Sequence, residues 1–211
     1  MTDGQVIQAA AAVGVSLTDT QAQAVRTYVA GLAKWNKVYN LTAIRNQDEV
    51  WTHHVMDCLA VVPPIQKRLP GLTEILDVGS GGGLPGIILA ITETAERVTC
   101  VDAVAKKVAF INQMSAVLSG IPTRLHGVHH RVEEWTGSYP LITSRAFSSL
   151  IDFVQLTRHL LSPNGVWMAM KGKIPEQEMA NLPSDIDVFH VEQLLVPGLN
   201  EDRCLVWMRQ R

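Results

Sequence analysis

The chain has 211 residues, 47% of them hydrophobic and 18% charged, which excludes a disordered or fibrous protein and suits one good core. A formal net charge of −2 argues against a protein that grips phosphate backbones over its whole surface, so any nucleic acid has to meet a local basic patch. Three cysteines without a close pair form neither a disulfide framework nor a zinc site; Asp3 and Gln5 stand where a signal peptide carries positive charge and an apolar run, so a cytoplasmic chain without membrane insertion is expected.

Residues 5–38 repeat apolar side chains at helical spacing, Val25, Val29, Leu32 and Val38 among them, which predicts two helices. Thr18 is the expected N-cap of the second, with Gln21 completing a capping box. The stretch Asn40-Leu41-Thr42-Ala43-Ile44 breaks the pattern. A third amphipathic helix is expected over 48–62, ended by Pro63-Pro64. From Glu74 the texture changes to short apolar runs bounded by glycine, proline or acids, the mark of a parallel α/β sheet. Strands are expected at 75–78, 98–101, 123–126, 141–143, 166–170, 188–195 and 204–208, with helices at 86–92, 105–119, 150–161 and 175–181. No helix fits between the last two strands, so they are expected to pair antiparallel at one side of the sheet. The fold class is thus α/β, a Rossmann-like, seven-stranded and mostly parallel sheet, with residues 1–70 as a helical segment packed on the unit formed by 71–211.

The strongest local signal is Asp77-Val78-Gly79-Ser80-Gly81-Gly82-Gly83-Leu84-Pro85-Gly86, set between the first strand and a helix. Glycines there turn the chain tightly and bring its backbone against a ligand. The loop lacks the lysine of a triphosphate site and follows G-x-G-x-G rather than the dinucleotide rhythm. Asp77 would repel a pyrophosphate yet suits a sulfonium or an amino group. Asp102 closes the second strand, where a carboxylate can accept from both ribose hydroxyls. A cationic, phosphate-free nucleoside is the ligand expected.

At this point the chain resembles the class I S-adenosylmethionine-dependent methyltransferases. Within them it is similar to the ribosomal small-subunit guanine-N7 methyltransferase G family, also called glucose-inhibited division protein B. The resemblance is carried, in order, by Asn40 to Ile44, His54-Val55-Met56-Asp57, Asp77 to Gly86, Arg131-Val132-Glu133-Glu134, Ser144-Arg145-Ala146-Phe147 and Met170-Lys171-Gly172. The family's His-x-x-Asp-Ser-Leu has Cys58 here in place of serine, which weakens any hydroxyl hydrogen bond at that position. The resemblance implies that Gly79 and Leu84 contact the methionine and nucleoside parts of S-adenosylmethionine, Val132 and Glu133 the adenine side, and Arg145 the site near the methyl group. Asp102 is carried over on the superfamily pattern alone.

The chemistry implied is methyl transfer to N7 of a guanine in 16S ribosomal RNA. That nitrogen holds a free lone pair, so positioning replaces a general base and no catalytic residue is expected. Where amine methyltransferases commonly carry Asn or Asp before Pro-Pro and an aromatic, this chain has Ser144-Arg145-Ala146-Phe147, which disfavours amine methylation. Cys58, Cys100 and Cys204 fall inside predicted elements as core hydrophobes, which disfavours pyrimidine C5 chemistry. Arg145 is read as holding a phosphate or guanine O6, against a surface ion pair. Arg131 and Lys171 are weaker candidates for the RNA. The pairs His53-His54 and His129-His130 lack metal-ligand spacing, so no metal is expected. Trp167 and Trp207 are expected in the core, and Trp35 is expected to pack the N-terminal helices onto the sheet rather than to form a base-stacking platform. A monomer acting on an assembled or assembling small subunit is the expectation, with a methyltransferase for another substrate and a non-catalytic RNA-binding module as rivals.

Overall fold

In the computed structural model, residues 1–42, 44 and 46–211 are described, so Ala43 of the Asn40 to Ile44 stretch lies outside the described residues. The chain opens with α1 (Asp3–Ala11) and α2 (Asp19–Tyr39). Thr18 caps α2 as expected: Gln21 N–H donates to Thr18 Oγ1 at 3.2 Å, and Thr18 N–H donates to Gln21 Oε1 at 3.0 Å. Asn40 ends α2 in the left-handed region at φ +49°, a conformation asparagine tolerates better than most residues.

The helix expected over 48–62 is not one helix. It comprises α3 (Gln47–Val50), a π-helical turn (Trp51–Met56) and α4 (Asp57–Leu59). Pro63 and Pro64 then open α5 (Val62–Arg68) instead of closing its predecessor. A proline is excluded from a helix interior by its missing N–H, but that loss costs nothing in the first turn, where the N–H has no partner anyway.

The remaining elements alternate: β1 (Glu74–Val78), α6 (Gly86–Ile91), β2 (Arg97–Asp102), α7 (Ala105–Val117), β3 (Arg124–His129), β4 (Tyr139–Arg145), α8 (Leu150–Thr157), β5 (Leu161–Lys171), α9 (Glu176–Ala180), β6 (Ile186–Leu194) and β7 (Arg203–Gln210). Single 3₁₀ turns lie at Val132–Glu134 and Arg158–Leu160. The strands form one seven-stranded sheet in the order β3-β2-β1-β4-β5-β7-β6. It is parallel except at β7, which runs antiparallel to both β5 and β6, as the helix-free connection predicted. β5 begins five residues before the strand expected there, because the helix before it stops at Thr157.

One apolar cluster runs from Val6 and Val25 through α5 to Ile75, Val98 and Trp207 on the sheet, and a second joins Val78, Val101, Phe153 and Trp167 on the other face. Trp167 and Trp207 are buried, as expected. Trp35 packs α2 onto α7 rather than onto the sheet: its ring lies 5.6 Å from that of Phe110, and its N–H donates to Gln113 Oε1 at 2.8 Å.

Candidate cofactor and substrate site

The order reversal of this sheet falls between β1 and β4, and a parallel sheet binds ligands outside the carboxyl ends of its strands at such a point. A cavity of about 500 Å³ opens there. Its walls come from the glycine loop (Gly79 to Gly82, Leu84), the β4 end (Arg145, Ala146), the β5 end (Met170 to Gly172), Arg203 of β7, and Leu32, Leu41, Thr42, Ile44, His53, His54 and Asp57 of the N-terminal part.

The loop is shaped for close backbone approach. Gly79 sits at φ +66°, and a Cβ there would collide with the Phe147 ring. At Gly82 a Cβ would come within 3.0 Å of Leu32 Cδ1, so α2 lies directly against the loop, and the Tyr28 hydroxyl fastens the two by donating to Gly82 O at 2.9 Å. Asp102 is buried, and both its oxygens are already engaged: Gly81 N–H donates to Oδ2 and Val104 N–H to Oδ1, each at 2.9 Å. The carboxylate therefore ties the loop to the end of β2, with a second lone pair on each oxygen still available.

Asp77 is fully buried beneath the loop. Gly86 N–H donates to its Oδ2 at 2.9 Å, while Oδ1 has no partner. Burial, partly offset by the Gly86 and Ser80 hydrogen bonds, raises its pKa to about 6. This donor set fits a sulfonium nucleoside. It places carboxylates and backbone around the loop, and the nearby cations Arg145, Arg203, Lys171 and Lys107 each already face a carboxylate of the chain.

The π turn brings the adjacent His53 and His54 and the following Asp57 to the cavity wall. Such widened turns recur at functional sites. Arg145 Nη1 donates to His53 O at 3.0 Å and His54 Nδ1 at 3.2 Å, and lies 3.4 Å from Asp57 Oδ2. His54 Nδ1 also lies 3.1 Å from His53 O, and its Nε2 faces Thr42 Oγ1 at 2.7 Å. Burial first, and the Arg145 charge second, depress the His54 pKa to about 4. Asp57 is nearly inaccessible; burial raises its pKa, opposed by Arg145 and Arg203. Arg203 Nε approaches Asp57 Oδ1 at 3.2 Å as an ion pair without hydrogen-bond geometry. One buried carboxylate thus holds two guanidiniums at the cavity wall.

Of the residues singled out in the sequence, Gly79, Leu84, Arg145 and Lys171 line this cavity. Lys171 is engaged by Glu178 Oε2 at 2.8 Å and Ser148 O at 3.1 Å. Asp102, Val132, Glu133 and Arg131 stand at the neighbouring carboxyl ends of β2 and β3, with Val132 buried and Glu133 exposed beside Arg131. The residues missed were Asp57, although its stretch was recognised, and Arg203, for which no local signal existed. The three cysteines are buried, and none is among the described residues lining the cavity. Among the described residues no cluster of three or more potential metal ligands occurs, and no helix is long and apolar enough to cross a membrane.

This sheet order, the glycine loop after β1 and the acid closing β2 define a class I S-adenosylmethionine-dependent methyltransferase. Solved structures agree at the level of fold. Magnesium protoporphyrin IX methyltransferase from Synechocystis PCC 6803, crystallised with bound SAM, gives a TM-score of 0.61 at 16% identity, covering 92% of this chain and 99% of that one. Ribosomal protein L11 methylase from Lactobacillus delbrueckii subsp. bulgaricus gives 0.56 at 15% identity, covering 72% and 77%.

The sequence then narrows the class: the chain belongs to the GidB family, rRNA small subunit methyltransferase G, which it matches over residues 21–206. Similar relatives are named ribosomal RNA small subunit methyltransferase G. That of Leptothrix cholodnii is 52% identical over 98% of this chain and 94% of its own, and that of Acidovorax sp. strain JS42 is 49% identical over 96% and 92%. The chain is an enzyme, with S-adenosylmethionine as methyl donor.

Proposed function

We propose that the enzyme methylates N7 of a guanine in 16S ribosomal RNA, within an assembled or assembling small subunit, acting as a cytoplasmic monomer. The observation that carries the reading is Arg145, held at the wall of the cofactor cavity by His53, His54 and Asp57. A guanidinium fixed in this way suits an O6 or phosphate oxygen beside the reacting nitrogen. The names of the relatives support the RNA, and the family resemblance supports the nitrogen.

Residues 71–211 form the cofactor-binding unit on this reading, with 1–70 packed against it. Gly79 and Leu84 hold the methionine and nucleoside parts, Asp102 the ribose through its remaining lone pairs, Val132 and Glu133 the adenine side, and Arg145 the region of the methyl group. S-adenosylmethionine supplies the methyl as a sulfonium, so the C–S bond breaks as the guanine lone pair forms the C–N bond and the positive charge passes to the purine. No proton moves. The chain's own task is to hold two groups in line. Neutral His54 orients Arg145 rather than serving as a base, and Arg131 and Lys171 guide the RNA backbone.

The test is incubation with labelled donor and small subunits from a strain lacking the enzyme, followed by borohydride and aniline cleavage at N7-methylguanine. Cleavage at one guanine of 16S RNA is expected; label elsewhere, or none, refutes the reading.

A further inference from the structure

The outer side of α2 is uncommon in one respect. Its last three residues, Lys37, Val38 and Tyr39, and the capping Asn40 are all exposed, with Val38 69% and Tyr39 42% accessible. Tyr39 lies against Trp35 with ring centroids 5.0 Å apart, and Trp35 is in turn braced on Phe110 and Gln113 of α7. A rigid aromatic ledge with an apolar neighbour is therefore left in water.

Charge marks what meets it. In a chain of net charge −2, α2 beyond Asp19 and the whole of α7 contain no Asp or Glu, yet carry Arg26, Lys34, Lys37, Lys106 and Lys107. Arg26 is paired with Asp3, and Lys107 lies 3.6 Å from Asp102. Lys34, Lys37 and Lys106 have no acidic partner among the described residues. The ledge is also continuous with the reaction site. Leu32, five residues before Lys37, lines the cofactor cavity, and a groove of about 550 Å³ lined by Leu32, Asn36, Lys37, Asn40 and Thr42 adjoins it. At 1.5 Å per residue the helix carries Tyr39 only about 10 Å along its axis from Leu32.

We propose that the end of α2 is a docking platform for single-stranded ribosomal RNA flanking the target guanine, with Tyr39 stacking a base and Lys34 and Lys37 meeting its phosphates. Aromatic faces with interleaved cations are the sequence-tolerant way to hold an unpaired strand. A platform beside the pocket fixes the nucleotides that flank the base presented to the methyl donor. It also explains how a mildly acidic protein meets RNA, through two helices that carry no acid beyond Asp19. The proposal rests on the ribosomal RNA reading above.

The test compares Tyr39→Ser, Tyr39→Phe and the double variant Lys34→Gln/Lys37→Gln with wild type, on small subunits from a strain lacking the enzyme and on the deproteinised 16S RNA. Thermal melting and S-adenosylhomocysteine titration verify that the fold and cofactor site are intact in these exposed positions. Tyr39→Ser is expected to weaken RNA binding about tenfold, and Tyr39→Phe to stay near wild type. The lysine variant is expected to lower the salt slope of binding by about one for each charge removed. Unchanged RNA affinity and salt slope in variants with intact cofactor binding overturn the platform. A loss seen on subunits but absent on naked RNA also overturns it, assigning the surface to a ribosomal protein. If wild type itself neither binds nor methylates either substrate, the ribosomal RNA reading falls, and the platform with it.

Discussion

Two clefts open at opposite ends of the strands. The one at the carboxyl edge measures about 500 Å³, whereas that at the amino edge measures about 750 Å³ and is lined by incoming connections such as Leu69 to Glu74, Glu93 to Arg97 and Pro122 to Arg124. The larger has the plainer chemistry. Arg97 pairs with Glu74 there at 2.6 Å, both partly exposed, and Glu93 Oε1 accepts from Gln21 Nε2 at 3.0 Å. At the carboxyl edge the charges are buried: Asp57 and Asp77 are pushed up in pKa and His54 down, and a glycine loop replaces side chains with backbone. The polarity of a parallel sheet, which turns strand ends and following helix starts toward one edge, accounts for the difference better than cleft size.

Breaking the smaller cleft should therefore cost most. Gly79→Asp places a Cβ against the Phe147 ring at a residue with φ +66°, and adds a carboxylate where the backbone must approach the ligand. Calorimetric titration should show the affinity for S-adenosylmethionine falling by a factor on the order of 100 or more, equivalent to about 2.7 kcal/mol or more. Retained affinity would place the cofactor elsewhere.

Asp57→Ala removes the carboxylate between Arg145 and Arg203, which are themselves partly solvated. Breaking a buried ion pair costs about 3–5 kcal/mol; solvent at the two guanidiniums brings the expectation for urea unfolding to about 2–3 kcal/mol. RNA methylation should fall with it, while cofactor affinity changes little. An unaltered rate would separate the Asp57 clamp from the reaction.

The buried groups also predict an opposed pair of pH effects. His54 titrates near 4 when folded against an ordinary value of 6.5, so the unfolded chain binds its proton first and stability rises as pH climbs from about 4 to 6.5. Asp77 titrates near 6 when folded against 3.8, so its contribution is complete below about 3.8 and is lost as pH rises through 6. Asp57 acts in the same direction as Asp77. Each of the two larger effects reaches at most about 3 kcal/mol, and in wild type they largely cancel. His54→Gln should make stability fall between pH 4 and 6, and Asp77→Asn should make it rise; parallel profiles in both variants would refute the opposition.

The legibility of the two edges differs for related reasons. The glycine loop, the strand positions and the antiparallel end of the sheet were readable because each depends on local spacing: glycine rhythm, apolar runs, a missing helix between β6 and β7. The pocket wall was less so. The π turn departs from the periodicity that suggested one helix, and its placement depends on what packs around it. Arg145 finds Asp57 across 88 positions of sequence, and Arg203 reaches the same carboxylate from a strand at the other end of the chain. Nothing near Arg203 announces this. Pro63-Pro64 was misread because a proline pair signals a boundary without saying which side of it the helix occupies. Asp102 was read for what it can offer a ribose, whereas its loop-fastening bonds to Gly81 and Val104 depend on a turn that only the folded chain displays.

The smallest effect belongs to the larger cleft. Arg97 lies at the start of β2, about half exposed, and its bond to Glu74 joins the first residues of two neighbouring strands. An ion pair so open to water contributes about 0.2–1 kcal/mol, because its attraction is screened and two long side chains must be ordered to form it. The strand pairing beneath it is backbone and does not depend on the side chain. Arg97→Ala should therefore shift unfolding by less than about 1 kcal/mol and leave both cofactor titration and RNA methylation at wild-type values. A defect in methylation with the fold intact would mean that the amino edge takes part in holding the subunit, and that the contrast drawn between the clefts misassigns the second one.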